Sequence, residues 1–314
     1  MRRTATVLVL FLAAGSAQAV IVQNAVQNAH FDTNLAGWVL SSDPADFGVT
    51  VSWQAIDALG SGHSGSLRAN GSQSFTTSYE VMTECVALSP SPGAKYDLSL
   101  RSRHQNIAAH TEIAAAEYFS GPNCTGGIVG SFEVDTSSGA NNVWQIEHHV
   151  NASGASAQSA RVSLLGQETT GVPTRLEYDD IYFGLAAPTS CTPGSGVLCV
   201  NDAPGDARFR IFGSYSTAQG GGSSGGLHAI DLSSLGVAHG GLMWFFAADN
   251  PELLVKVLNA CTLNGRYWVF ISAGTNVGVE LFVEDTHTGA VVDDHNPDLS
   301  PFPAVQDLYA LPCS

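Results

Sequence analysis

Carboxylates, histidines and aromatic rings are the side chains here whose spacing could support chemistry. Asp32 lies near one end, and Asp179-Asp180 follow about 150 residues later. Carboxylate oxygens suit Ca²⁺, a hard cation that takes roughly six to eight oxygen ligands. Successive side chains on a strand point to opposite faces, so only one of Asp179 and Asp180 should meet such an ion. Asp32 and Asp180 are the candidate pair. The same rule keeps the adjacent His148 and His149 from sharing one metal. His104 and His110 have no carboxylate at metal-site spacing. His295 falls in Asp293-Asp294-His295-Asn296-Pro297-Asp298, an acidic run that reads as a solvated turn.

Glycoside hydrolysis needs two carboxylates roughly 5 to 9.5 Å apart. No motif singles out such a pair among the 28 acids. Gly222-Ser223-Ser224-Gly225-Gly226 fits G-x-S-x-G, and Gly220, Gly222 and Gly225 fit G-x-G-x-x-G. Both patterns work only in a strand–turn–helix setting, which this sequence does not offer. No H-E-x-x-H or EF-hand loop is present. The expectation is a non-catalytic protein.

Composition narrows the partners. Twelve basic residues face 28 acidic ones, for a net charge of −16, and Lys95 and Lys256 are the only lysines. Nucleic-acid affinity comes from cationic neutralisation of phosphates, so nucleic acid is excluded as a partner. Arg2 and Arg3, the apolar run from Val7 to Ala14, and Ala17-Gln18-Ala19 form an export signal over residues 1–19. That run is far shorter than the roughly 20 residues that span a bilayer, so no membrane insertion is expected. The chain is expected to be secreted, extracellular or periplasmic. Six cysteines fit disulfides in that setting. The simplest pairing is Cys85–Cys124, Cys191–Cys199 and Cys261–Cys313, although the last four cysteines alone allow three pairings.

The elements that must position these groups are strands. Val49 to Trp53, Tyr96 to Leu100, Trp144 to His148 and Arg161 to Leu165 alternate apolar and polar residues between Gly, Ser, Asn and Pro clusters. Ile107 to Tyr118 is the main helical candidate and also reads as a strand. A short linker at 186–190 separates a module at 20–185 from one at 191–314. In the second module, strands are expected over Arg208 to Gly213, Gly241 to Ala247, Glu252 to Leu258, Arg266 to Ile271 and Val277 to Asp285. Residues Gln219 to Gly226 read as a flexible loop. The fold class is all-β, with two antiparallel sandwiches.

Two distant segments carry a family resemblance. Asn28-Ala29-His30-Phe31-Asp32-Thr33-Asn34-Leu35-Ala36-Gly37-Trp38 and Leu176-Glu177-Tyr178-Asp179-Asp180-Ile181-Tyr182-Phe183 resemble the opening and closing strands of a bacterial carbohydrate-binding jelly roll of the cellulase-associated kind. The stretch from Trp53 to Leu67 adds to the match. The resemblance implies a jelly roll at 20–185 and a structural calcium held by Asp32 and one Asp of the closing pair. Asp32 stands where the family more usually has Glu, and Ala29 where it has Gly. Segments from Leu198 to Gly289 resemble a β-sandwich domain found at the ends of secreted bacterial proteins, which implies fold alone.

Sugar binding needs flat apolar rings and hydrogen-bonding neighbours. Trp38 and Trp144 read as core. Tyr79 and Tyr118 are the candidates for an exposed face, with Arg101, Arg103 and Glu117 as polar partners. The expected function is binding of polysaccharide or glycoconjugate by the first module. The alternative is a structural or adhesive surface protein that mediates protein contacts, and a polysaccharide hydrolase or lyase ranks behind both.

Overall fold

Alternation of apolar and polar residues builds strands along most of the chain, and the apolar parity of these strands faces a sandwich core. The computed structural model describes residues 24–71, 78–88, 93–137, 142–167 and 173–313. The export signal lies outside those residues.

Among the described residues ten strands form the first sandwich: β1 (Val39–Leu40), β2 (Thr50–Gln54), β3 (Ser66–Gly71), β4 (Ser78–Ala87), β5 (Lys95–Gln105), β6 (Glu112–Phe119), β7 (Ile128–Asp135), β8 (Gln145–Ala152), β9 (Ser159–Gln167) and β10 (Thr174–Leu185). They pair antiparallel in two sheets, β1-β4-β9-β6-β7 and β2-β3-β10-β5-β8. This is the jelly roll, with Leu67, Leu98, Leu100, Tyr178 and Phe183 between the sheets. Ile107 to Tyr118 resolves as a turn and strand β6, not a helix.

The second sandwich contains β11 (Leu198–Val200), β12 (Phe209–Thr217), β13 (Ser223–Gly226), β14 (His228–Ile230), β15 (Gly240–Trp244), β16 (Leu253–Ala260), β17 (Arg266–Ala273), β18 (Gly278–Asp285), β19 (Val291–Asn296) and β20 (Val305–Pro312). The third sheet runs β11-β12-β18-β19 with β13 also on β12, and the fourth runs β14-β15-β16-β17-β20. The five strands expected here are present as β12 and β15 to β18. The Gly-Ser segment is no flexible loop, because Ser223 to Gly226 pair with Ser214 to Thr217 as a hairpin. Its turn passes through Gly220, Gly221 and Gly222 at φ 64°, 96° and 89°, where a Cβ would be strained. Likewise Asp293-Asp294-His295 is not a solvated turn but part of β19, paired to β18.

Three disulfides join cysteines that neighbour one another in chain order: Cys85–Cys124, Cys191–Cys199 and Cys261–Cys313. Each shortens the loops open to the unfolded chain.

The sandwiches meet face to face. Tyr182 from β10 packs with Phe212, Phe282 and Val291 from the third sheet, all at most 1% exposed. Around this apolar patch, Ser99 Oγ donates to the Val291 carbonyl at 2.8 Å. The Val291 N–H donates to Asp97 at 2.9 Å. Strand β5 is therefore covered on both sides: Leu98 and Leu100 face the jelly-roll core, while Asp97, Ser99 and Arg101 face the second sandwich.

Residues 24–31 run beside β10 and are clamped by Glu84, which accepts from the Gln27 N–H at 3.0 Å. Burial pushes the Glu84 carboxyl up to about 7, outweighing that hydrogen bond. The folded state thus holds this proton more tightly than the unfolded chain does. Its contribution to stability is full below about pH 4.5 and is lost as pH rises through about 7. Glu84→Gln should remove this loss, raising Tm by a few degrees at pH 8 and leaving it little changed at pH 4. Thermal scans at both pH values test this, and an equal shift at both would contradict it.

Candidate functional site

Two concavities flank the β12–β13 hairpin. One lies at the junction of the sandwiches and the other on the outside of the second.

The junction is organised by a bulge. Between Asp179 and Tyr182 the register of β10 on β5 slips by one residue, and Asp180 takes φ 46°. An extra residue in one strand breaks the alternation and re-aims the side chains beside it. Asp179 turns to the Ala58 N–H at 2.8 Å. Asp180 turns toward the second sandwich, where its Oδ1 meets His30 Nδ1 at 2.8 Å and its Oδ2 accepts from Arg101 Nε at 2.7 Å. Arg101 reaches across, its Nη2 2.7 Å from Asp307 Oδ2. Burial opposes the guanidinium charge, but Asp307, Asp180 and Asp294 outweigh it and hold Arg101 firmly protonated.

Beyond Asp180 lies a cleft of about 390 Å³ whose lining includes His30, Asp32, Glu280 and His295. The His30 and His295 rings stack in parallel, with centroids 5.0 Å apart. Glu280 joins them, with Oε1 3.5 Å from His30 Nε2 and Oε2 2.8 Å from His295 Nδ1. Asp293 Oδ2 stands 3.7 Å from His30 Nε2. Burial works against charge on His30, yet Asp180, Asp293 and Glu280 hold its pKa well above the usual imidazole range. Burial also raises Glu280, but His295 and His30 overcome it and hold the carboxyl well below its ordinary range. Burial, reinforced by Glu280, pushes Asp293 up to about 7. Burial pushes Asp294 up to about 8, and neither of its oxygens has a hydrogen-bond partner. Negative charge is in excess here.

Of the expected calcium pair, Asp32 lines the cleft while Asp180 is taken up by protein partners. Both Asp180 oxygens are engaged, one of them by a guanidinium that repels a cation. The Ala29 and Phe31 carbonyls nearby accept from the Ile181 N–H and the Trp53 indole.

The expected sugar-binding residues are not brought together. Tyr79 and Tyr118 are 2% and 1% exposed and belong to the jelly-roll core, so neither offers a face to ligand. Tyr79 stacks on Phe47, and Tyr118 packs against Tyr96, Phe132 and Phe183. Arg101 is consumed in the junction. Arg103 lies over the Trp144 ring and bonds Glu177. Glu117 pairs with Arg161, whose Nε is 2.9 Å away.

The second concavity is an open groove of about 830 Å³. Phe245 and Phe246 follow the end of β15, and both rings pack against Tyr215, at 5.2 and 5.1 Å. Phe245 is buried and stacks on Tyr215 at 5.2 Å, whereas Phe246 is 52% exposed and stands in the groove. Thr217, Gln219, Asn250, Glu252 and Asn276 surround it. Gln219 Nε2 donates to Asn276 Oδ1 at 3.2 Å and Asn250 Nδ2 to Glu252 Oε1 at 2.6 Å. These pairs orient the amides, and each NH₂ keeps a second N–H to give. Sequence reasoning missed this site, since no motif marks Phe246 and its exposure arises only from the bend that follows β15.

The chain matches no protein-family model and no curated protein. Among solved structures it is similar to the enzymatically active domain of bacteriophage CBA120 tailspike protein 4, at 15% identity and TM-score 0.40 over 52% of this chain and 21% of that one. It is similar to a putative sugar binding protein from Bacteroides thetaiotaomicron, at 12% identity and TM-score 0.35 over 52% of this chain and 100% of that one. A CBM22-1-CBM22-2 tandem domain from Paenibacillus barcinonensis Xyn10C is similar over 93% of this chain and 90% of that one, at 13% identity and TM-score 0.34. The chain thus spans about a fifth of the tailspike protein and nearly the whole of the other two.

Removing Arg101 would leave Asp180 and Asp307 buried without their counter-charge. Arg101→Met should therefore destabilise the protein by about 3–5 kcal/mol in urea unfolding. A loss below about 1 kcal/mol would show that the pair does not hold the junction.

Proposed function

We infer that this is an exported, non-catalytic glycan-binding protein whose contact site is the Phe246 groove. The observation that carries the reading is an exposed ring set in a concave surface among oriented amides, hydroxyls and one carboxylate. A pyranose has a flat C–H face and an equatorial rim of hydroxyls. Phe246 suits the face, and Gln219, Asn250, Glu252 and Asn276 suit the rim as paired donors and acceptors. The site lies in the second sandwich, not on the first-module face expected from the sequence.

The lining supports a reading of binding without turnover. Among the described residues of the groove, Glu252 is the only carboxylate. The usual glycosidase mechanism needs two. The net charge of −16 favours neutral polysaccharide over acidic polymers.

Retention of the purified protein on a panel of insoluble and arrayed polysaccharides tests the reading. One glycan class should be held, and Phe246→Ala should weaken retention about tenfold, as expected for truncating a central aromatic contact. Phe246 is exposed, so the variant should fold normally. Retention unchanged in the variant would remove the groove from the claim. Retention on no glycan would return the protein to the structural or adhesive class.

A further inference from the structure

The cleft at the junction has a chemistry the groove does not use. We propose that His30, Glu280 and His295, with Asp293 behind them, form a binding site for a divalent transition-metal ion of the Zn²⁺ class.

Geometry carries the proposal. One donor atom from each of His30, Glu280 and His295 can be chosen so that all lie within 4.8 Å of one another, the spread expected around a single ion. Two imidazoles and a carboxylate suit Zn²⁺ and its neighbours, whereas Ca²⁺ prefers oxygen alone. His30 is already set as a ligand. Its Nδ1 is held by Asp180 at 2.8 Å, which leaves Nε2 facing Glu280 and Asp293. A carboxylate on the far nitrogen is the usual support of a metal-bound histidine, fixing ring orientation and tautomer. Arg101 in turn fixes that carboxylate, with Nε 2.7 Å from Asp180 Oδ2.

An independent observation comes from the buried acids. The Asp293 side chain is fully buried, yet its Oδ1 has no hydrogen-bond partner. Asp32 Oδ1, on the opposite rim, is buried and unpartnered as well. Leaving such oxygens without a donor is costly, and a cation in the cleft would offset that cost. It would also bind the sandwiches together, because His30 comes from the first and Glu280, Asp293 and His295 from the second.

The test is calorimetric titration of the chelator-treated full protein with Zn²⁺, and separately with Ca²⁺. One Zn²⁺ should bind per chain, and millimolar Ca²⁺ should not compete. His295→Gln, a partly exposed position, should weaken Zn²⁺ binding at least about tenfold. His287→Gln, at an exposed histidine outside the cleft, should leave it unchanged. Equal Zn²⁺ affinity in the wild type and His295→Gln would overturn the proposal, as would displacement by Ca²⁺. If His295→Gln does not fold, zinc-edge X-ray absorption of the wild type decides. Two imidazole nitrogens support the site, and an oxygen-only shell overturns it. Glycan retention by the Phe246 groove does not enter either readout.

Discussion

The structure depends on one buried cation. Arg101 projects from the outer face of a jelly-roll strand, the side that a lone jelly roll would show to water, and it is 2% exposed. It can be buried there only because Asp180 and Asp307 meet it from the two sandwiches. Two carboxylates and a guanidinium taken from water lose several kcal/mol of hydration each, so the arrangement demands exact partners at fixed places. That demand sets how the sandwiches are aligned. It also places His30 against Glu280 and Asp293, and a further tie, His63 Nε2 to the Pro301 carbonyl at 3.1 Å, reaches the rim of the groove.

The bulge at Asp180 makes this possible. In a regular strand Asp179 would share a face with Arg101, its register partner. The extra residue carries Asp180 to Arg101 and His30 and leaves Asp179 to cap the Ala58 N–H. Segment 24–31 stabilises the distortion: the Ile181 N–H donates to the Ala29 carbonyl at 3.0 Å, and Asn24 Nδ2 donates to the Ile181 carbonyl at 2.8 Å. A local break in periodicity thus becomes the feature on which the junction turns.

The same features explain what could be read from the sequence. Alternation revealed the all-β class and most strands, because the apolar parity of these strands faces a sandwich core. Alternation also misled, since in Tyr96-Asp97-Leu98-Ser99-Leu100-Arg101 the polar residues look solvated but face a second protein surface. Asp293-Asp294-His295 reads as a turn for the same reason, the cations that face its two acids, His30 and Arg101, lying more than 100 positions away. Tyr79 and Tyr118 sit on the inward parity of β4 and β6, Tyr118 in line with Ala114 and Ala116, so both rings enter the core. Gln219 to Gly226 resembles a linker in composition, yet it pairs with β12 because glycine permits the tight turn.

Binding and cohesion are separated by that hairpin. Its inner flank borders the charged cleft and its outer flank the Phe246 groove, so the groove rests on a frame fixed by the junction. The most direct measurement of this dependence is differential scanning calorimetry of the purified protein. A junction that locks the sandwiches gives one transition, with equal calorimetric and van't Hoff enthalpies. Two resolved transitions, with one sandwich melting while the other stays folded, would contradict it.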